Sequence, residues 1–204
     1  MKTNDGRLYV VSGASRCGKT TQVAKMMARS RRAVAWDPEA QWCELPGWRK
    51  ITSRRELLAA IKTPGHMRLA YVAGGSLKEE FDFICACVFA AGRHVAGLDF
   101  VAEELADVST PSKAPEKWGI LVRRGLKRGI NIYAISQRWS EADKTAMGNA
   151  SAYIVFTTRP KDIKYVCNST GLEIEELKTL APFEFYMIDP VTHEKTKKKL
   201  QFRR

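Results

Sequence analysis

Residues 13–20 read Gly-Ala-Ser-Arg-Cys-Gly-Lys-Thr, a full match to the pattern G-x-x-x-x-G-K-[ST]. The chemistry this spacing serves is phosphate binding. Gly13 and Gly18 let the backbone turn its N–H groups inward across Ala14, Ser15, Arg16 and Cys17, and a helix opening here adds the partial positive charge of its N-terminus. Lys19 then reaches the β- and γ-phosphates of a nucleoside triphosphate, and the Thr20 hydroxyl holds Mg2+. Gly13 to Thr20, with Thr21 beside them, form the candidate ATP-binding set. The match gains specificity from its surroundings, because an apolar, β-rich run (Leu8–Ser12) precedes it and a helical pattern follows.

Binding is not hydrolysis. Cleavage also requires a carboxylate to support the metal and a group to orient water, both at the end of a neighbouring strand. The run Leu98–Ala102 followed by Glu103 and Glu104 supplies that arrangement. If the strand ends at Ala102, Glu103 is the metal (Walker B) acid and Glu104 polarises the water. Two other readings stay open at this point: Asp99 as the metal acid, and Glu103-Glu104 as the opening of a solvated helix. The strand-like runs Ala33–Trp36 and Leu69–Val72 lie between the loop and the acidic strand in sequence. That spacing leaves room for a strand inserted between the two in the sheet, the arrangement of ATPases with an added catalytic Glu and not the compact order of nucleotide kinases.

The elements that must position these groups follow from periodicity. Leu8–Ser12, Ala33–Trp36, Leu69–Val72, Leu98–Ala102, Ile130–Ser136 and Tyr153–Thr157 are short apolar runs with helical patterns between most of them, which predicts a mostly parallel α/β sheet covered on both faces. Helices are expected over Thr20–Arg32, from a capping box at Ser53 through Lys62, along the stripe Phe81, Ile84, Cys85, Val88 and Phe89, and over Glu116–Arg128. Phe183–Ile188 and Lys195–Phe202 form a C-terminal β-hairpin with a basic outgoing strand. The lysine-rich end, through Arg203 and Arg204, reads either as a solvated tail or as a contact for nucleic acid.

With 204 residues, 45% of them hydrophobic, the chain can bury one sizeable core, so residues 1–204 read as a single domain with 183–204 as hairpin and basic tail. Lys and Arg number 34 against 22 Asp and Glu, a formal charge of +12 that favours an anionic partner such as nucleic acid. The five cysteines are odd in number and lack metal-site spacing, as expected of a reduced, intracellular protein. No secretory signal and no apolar run long enough to span a membrane is apparent. Cys17 is weighed as a redox switch and set aside. The three histidines read as structural or exposed, and the five tryptophans as packing groups.

Several further landmarks together resemble the HerA/FtsK superfamily of P-loop ATPases, especially the genome-packaging ATPases of tailless icosahedral viruses with an internal membrane. Val34-Ala35-Trp36-Asp37-Pro38 resembles the strand ending in Asp-Pro that follows the P-loop helix there. Glu103-Glu104-Leu105-Ala106-Asp107 is similar to the Asp-Glu turn of that superfamily, with Glu replacing the usual Asp. Arg124-Gly125-Leu126-Lys127-Arg128-Gly129-Ile130, with Ser136-Gln137-Arg138 closing the next strand, resembles its basic helix end and sensor Gln.

The resemblance covers roughly residues 8 to 160. It implies ATP and Mg2+ as cofactors, and Gln137 as a sensor that touches both γ-phosphate and attacking water. It also implies an arginine finger acting on a neighbour's nucleotide. Related proteins carry an Arg where this chain has Leu126, which leaves Arg124 and Arg128 as the nearest substitutes and Arg159 as a third. The function implied is translocation of double-stranded DNA by a homo-oligomeric ring, a hexamer or pentamer, in the host-cell cytoplasm or at a capsid packaging vertex, with a capsid vertex or membrane protein as a further partner. A small nucleotide kinase, a filamentous-phage-type assembly ATPase and a non-hydrolysing ATP-dependent binding module are the alternatives.

Overall fold

The computed structural model describes residues 6–94, 97–141 and 143–202, without the side chain of Trp139; residues 1–5, Arg203 and Arg204 lie outside the described residues. A nine-stranded sheet forms the centre, in the order β3-β4-β2-β5-β6-β1-β7-β8-β9. Five strands are buried almost throughout: β1 (Leu8–Ser12), β2 (Arg32–Trp36), β5 (Leu98–Ala102), β6 (Ile130–Ser136) and β7 (Ala152–Phe156). They pair in parallel with one another, and β4 (Met67–Tyr71) pairs in parallel with β2 and with the edge strand β3 (Arg49–Ile51). Continuous apolar runs suit strands whose two faces are both covered by other elements.

Alternate residues serve the two faces. Val10, Val34 and Trp36 join one core with the buried sides of α2 (Arg54–Lys62), α3 (Leu77–Ala91) and α5 (Glu116–Arg124). Val11, Ala33 and Ala35 join the other with Val23 of α1 (Lys19–Met26), Trp42 and Leu200. Short helices α4 (Leu105–Val108), α6 (Lys144–Gly148), α7 (Ile163–Thr170) and α8 (Ile174–Lys178) complete the cover. The C-terminal hairpin, β8 (Glu184–Ile188) and β9 (Lys195–Lys199), adds antiparallel strands beyond β7.

The inserted strand is β6, which separates the P-loop strand β1 from the acidic strand β5. It follows β5 in sequence, whereas the three strands between β1 and β5 in sequence, β2, β3 and β4, lie on the far side of β5. Two expected helices are shorter than their patterns. The helix expected to reach Arg32 stops at Met26, because Arg32 opens β2 and its guanidinium is tied to the carbonyls of Ile61, Thr63 and Gly65 at 2.7–2.9 Å. The helix expected through Arg128 ends at Arg124, and a 3-10 turn over Leu126–Arg128 leads to Gly129, whose φ of 71° only glycine adopts without cost. Residues 195–199 are not a disordered tail: they form a strand, exposed at all five positions, and the Leu200 that follows is buried.

Candidate nucleotide-hydrolysis site

The loop after β1 is shaped by glycine. Gly13 (φ 154°) and Gly18 (φ 106°) lie outside the range of ordinary residues, and a Cβ on Gly13 would fall 2.6 Å from that of Phe156. Ala14 N–H donates to Thr157 O at 2.8 Å, tying the loop to the end of β7. Ser15 and Arg16 are exposed at its tip, and Thr21 is exposed on the first turn of α1. Lys19 is buried, and its Nζ donates to Gly13 O at 3.0 Å and Ala14 O at 2.9 Å. Among the described residues this ammonium has no ion pair, so a buried charge faces the loop interior with only neutral carbonyls as partners. That is the donor arrangement a triphosphate requires.

Opposite the loop, Thr20 Oγ1 donates to Glu103 Oε1 at 3.0 Å. A hydroxyl and a carboxylate at this separation are hard oxygen donors that fit Mg2+, which takes few protein ligands and shares the phosphates. Magnesium, when bound, would neutralise charge developing on the phosphate oxygens. Glu103 is almost wholly buried, and burial lifts its carboxyl to about 7 against the opposing pull of hydrogen bonds from Trp42 and Thr20. Asp99 sits at the other end of β5, where its carboxylate accepts from Asn131 Nδ2 at 2.8 Å. Distance from the loop removes it as a partner of Thr20. The solvated-helix reading of Glu103 fails too, since the carboxylate is buried and α4 begins only at Leu105.

Glu104 points elsewhere. Its φ of 45°, rare outside glycine, turns the side chain away from that of Glu103. There its Oε1 accepts from Gln137 Nε2 at 2.7 Å. The two residues close adjacent strands, and with Glu39, Asp107, Arg138 and Glu141 they border a cleft of about 410 Å³ at the carboxyl ends of β2, β5 and β6.

The arginines are not gathered there. Arg124 is exposed at the end of α5, by the amino ends of the strands. Arg128 lies near it, donates to Phe89 O and covers the Phe89 ring at 3.3 Å from its centroid, while burial and the neighbouring Arg93 and Arg124 lower its pKa. Arg159 follows β7, at the P-loop end of the sheet. Cys17 is partly buried, and burial raises its thiol above the ordinary value, so it stays protonated at neutral pH.

Sequence reading missed Trp42. Its ring is fully buried and Nε1 donates to Glu103 Oε1 at 2.8 Å. Nothing local in sequence signals a contact spanning 61 residues. Trp36 and Trp118 are buried as packing groups, Trp48 packs edge-on against Trp42, and His66, His94 and His193 are exposed.

A strand–loop–helix phosphate cradle on a mostly parallel sheet, with a strand inserted before the acidic one, is the fold of the P-loop NTPases. Known proteins agree on the fold. The genome packaging NTPase B204 of Sulfolobus turreted icosahedral virus 2, solved with ATP-gammaS, superposes with a TM-score of 0.80 at 15% identity, over 99% of this chain and 100% of that one. The bacterial conjugative coupling protein TrwB gives 0.72 at 10% identity over 97% and 85%. VirB4 of Thermoanaerobacter pseudethanolicus gives 0.67 at 10% identity over 96% and 90%.

In sequence, Protein P9 of Pseudoalteromonas phage PM2 is 33% identical over 138 residues, 67% of this chain; the match spans 62% of the length of that phage protein. No family model matches. Among the described residues no helix is long and apolar enough to cross a membrane.

Proposed function

We propose that the chain is an ATP-hydrolysing DNA translocase, a viral genome-packaging motor that pumps double-stranded DNA into a capsid. The observation that carries this reading is the paired geometry at the strand ends: Thr20 against Glu103 across the inserted strand β6, and Gln137 at the end of β6 against Glu104. Lys19 and the loop Gly13–Thr21 hold the triphosphate, Thr20 and Glu103 the Mg2+. Glu104 orients the attacking water. Gln137 links the state of the nucleotide to the end of β6, which gives hydrolysis a mechanical output.

The likeness in fold to a virus genome packaging NTPase and to a conjugative coupling protein supports DNA as the substrate moved. So does the charge of +12. On β9, Lys195 pairs with Glu176 at 2.6 Å and Lys197 with Glu184 at 2.8 Å, which leaves Lys198 and Lys199 as the strand's cations without an ion pair among the described residues and open to DNA phosphate. Such contacts ignore sequence and weaken with salt. Residues 1–204 act as one ATPase domain in this reading. Copies assemble as a homo-oligomeric ring of five or six in the host-cell cytoplasm, at a packaging vertex, with Arg124, Arg128 or Arg159 reaching a neighbour's nucleotide.

The test is ATP turnover of the purified protein with and without double-stranded DNA across a salt series. Stimulation by DNA that fades as salt rises is expected. Turnover indifferent to DNA at every salt would remove the translocase reading.

A further inference from the structure

The Asp-Pro at the end of β2 begins a loop that returns to the hydrolysis site. Asp37 is buried, and its two carboxylate oxygens accept from Gln41 N at 2.8 Å and Cys43 N at 3.0 Å. Ala40, directly before Gln41, has a φ of 53°, a conformation that alanine adopts only when its surroundings impose it. The loop so closed turns Trp42 inward. The indole is fully buried and braced edge-on by Trp48, with ring centroids 4.9 Å apart.

From that position Trp42 Nε1 donates to Glu103 Oε1, the same oxygen that accepts from Thr20. An indole is only a donor, and a buried donor left unpaired is costly, so the bond holds each group to the other. Oε2 of Glu103 accepts from none of the described residues. A glutamate has one more rotatable bond than an aspartate, and burial alone does not choose among its rotamers. Two donors on a single oxygen choose one.

We infer that Trp42 is a positioning residue for Glu103: it holds the acid in the rotamer that meets Thr20, and Asp37 holds the loop that carries Trp42. The inference rests on the ATPase reading above. Trp42 touches neither nucleotide nor reacting atoms in this role. It acts by keeping the oxygen pair of Thr20 and Glu103 assembled before magnesium arrives, so its loss affects the metal's requirement and not the grip of the loop on phosphate. Partners of this kind around metal ligands carry about 10–100-fold effects on affinity or activity.

The test uses the full chain with Trp42→Phe, which keeps a ring and removes the donor. Expected are unchanged affinity for an ATP analogue in the presence of EDTA, a rise of about tenfold in the magnesium needed for half-maximal turnover, and lower kcat with little change in the KM for ATP. A second readout does not depend on turnover. In nitrogen–proton correlation spectra, the indole signal of Trp42 in the wild-type protein should move when magnesium is added to protein saturated with a non-hydrolysable ATP analogue, and should stand elsewhere in Glu103→Gln.

A folded Trp42→Phe protein with wild-type magnesium demand, beside a crippled Glu103→Gln, overturns the role of Trp42 and leaves the ATPase reading intact. Absence of turnover in the wild type, or a Glu103→Gln protein of normal magnesium demand, strikes the ATPase reading itself. If Trp42→Phe does not fold, the wild-type indole signal, assigned through bonds, decides alone: a signal identical in Glu103→Gln and blind to magnesium rejects the inference.

Discussion

Gln137 and Glu104 close neighbouring strands and are joined by a hydrogen bond of 2.7 Å, the amide at the end of β6 donating to the carboxylate at the end of β5. Neither side chain is buried in the core, and Glu104 reaches its partner from a left-handed backbone conformation. A residue in such a conformation persists only where its surroundings hold it, and here the bond to Gln137 is one of the contacts that do so. In the proposed ATPase, nucleotide arriving at the loop breaks or remakes this contact, and the end of β6 registers the change.

Glu104→Gln should retain nucleotide and lose cleavage. The amide keeps the shape of the carboxylate and tolerates the same backbone, but cannot accept a proton or polarise water as strongly. A fall in kcat of about a hundredfold to ten-thousandfold is expected, with the affinity for an ATP analogue within a few-fold of wild type. Phosphate release and analogue binding measured on one preparation check it; a kcat within a factor of three of wild type would be incompatible with the assigned role.

Lys19→Ala should abolish turnover while the fold persists, because the ammonium is bonded only to carbonyls of its own loop, which water can satisfy in its place. The clearest measurement is the thermal shift caused by nucleotide. At a hundred times its dissociation constant, ATP analogue should stabilise the wild type by about 2.7 kcal/mol, roughly 5–10 °C. The variant should melt near the wild-type apo temperature and show almost no shift.

A third prediction concerns pH. The ordinary glutamate value is 4.5, and burial raises Glu103 to about 7 in the folded chain. Between those values the folded state holds a proton that the unfolded state releases. Stability contributed by the neutral acid is thus complete below about 4.5 and is lost as pH rises through about 7. The ceiling on that loss is on the order of 3 kcal/mol. In the absence of metal and nucleotide, Glu103→Gln should therefore gain on the wild type in denaturant midpoint as pH is raised from 5 to 8. A difference between the two that stays constant over this range contradicts the assignment of a buried, pKa-raised acid.

Much of the fold was legible because its strands are buried on both faces. Leu8–Ser12, Leu98–Ala102 and Ile130–Ser136 appear with the expected ends, since mostly apolar, β-rich runs leave little choice even where Asp99 and Asn131 interrupt them near their starts. Edge strand β3, with the sequence Arg-Lys-Ile, shows no such run and was invisible for that reason. The loop, Glu103, Glu104 and Gln137 were readable because each directly follows a strand. Trp42 was not, because its position depends on how Asp37 folds the loop between them, a tertiary effect with no periodic signature.

Asp143 offers a prediction about stability. Its carboxylate caps α6 by accepting from Thr145 N and Ala146 N, and Oδ2 also accepts from the buried Trp118 Nε1 at 2.8 Å. Trp118 in turn packs against Phe81 and Phe100 in the core. Asp143→Ala removes the cap, worth about 1 kcal/mol, and strands a buried indole donor at a further 1–3 kcal/mol. Urea unfolding should show a loss of about 2–4 kcal/mol with an unchanged m-value. Asp143→Asn, which can keep part of the cap and still accept from the indole, should recover most of it.

The last prediction separates an arginine finger from a DNA contact. Loss of a finger depresses hydrolysis at every salt concentration, by about a thousandfold or more where it is essential, whereas loss of a phosphate contact weakens DNA binding and reduces its salt slope by about one. Arg124 is exposed and free of ion pairs among the described residues, so Arg124→Ala should show the first behaviour with no loss of stability. Arg128 is engaged with Phe89 through its carbonyl and ring, so Arg128→Ala should lose thermal stability as well as turnover. Lys198→Ala and Lys199→Ala should show the second behaviour. A finger acts on a neighbour's nucleotide, which gives a decisive mixing experiment: Lys19→Ala protein supplies an intact arginine, Arg124→Ala protein supplies an intact loop, and only a mixed assembly joins the two. Recovery of turnover on mixing two inactive proteins establishes a shared site and hence an oligomer. Full activity of Arg124→Ala, Arg128→Ala and Arg159→Ala taken singly removes the finger from all three positions.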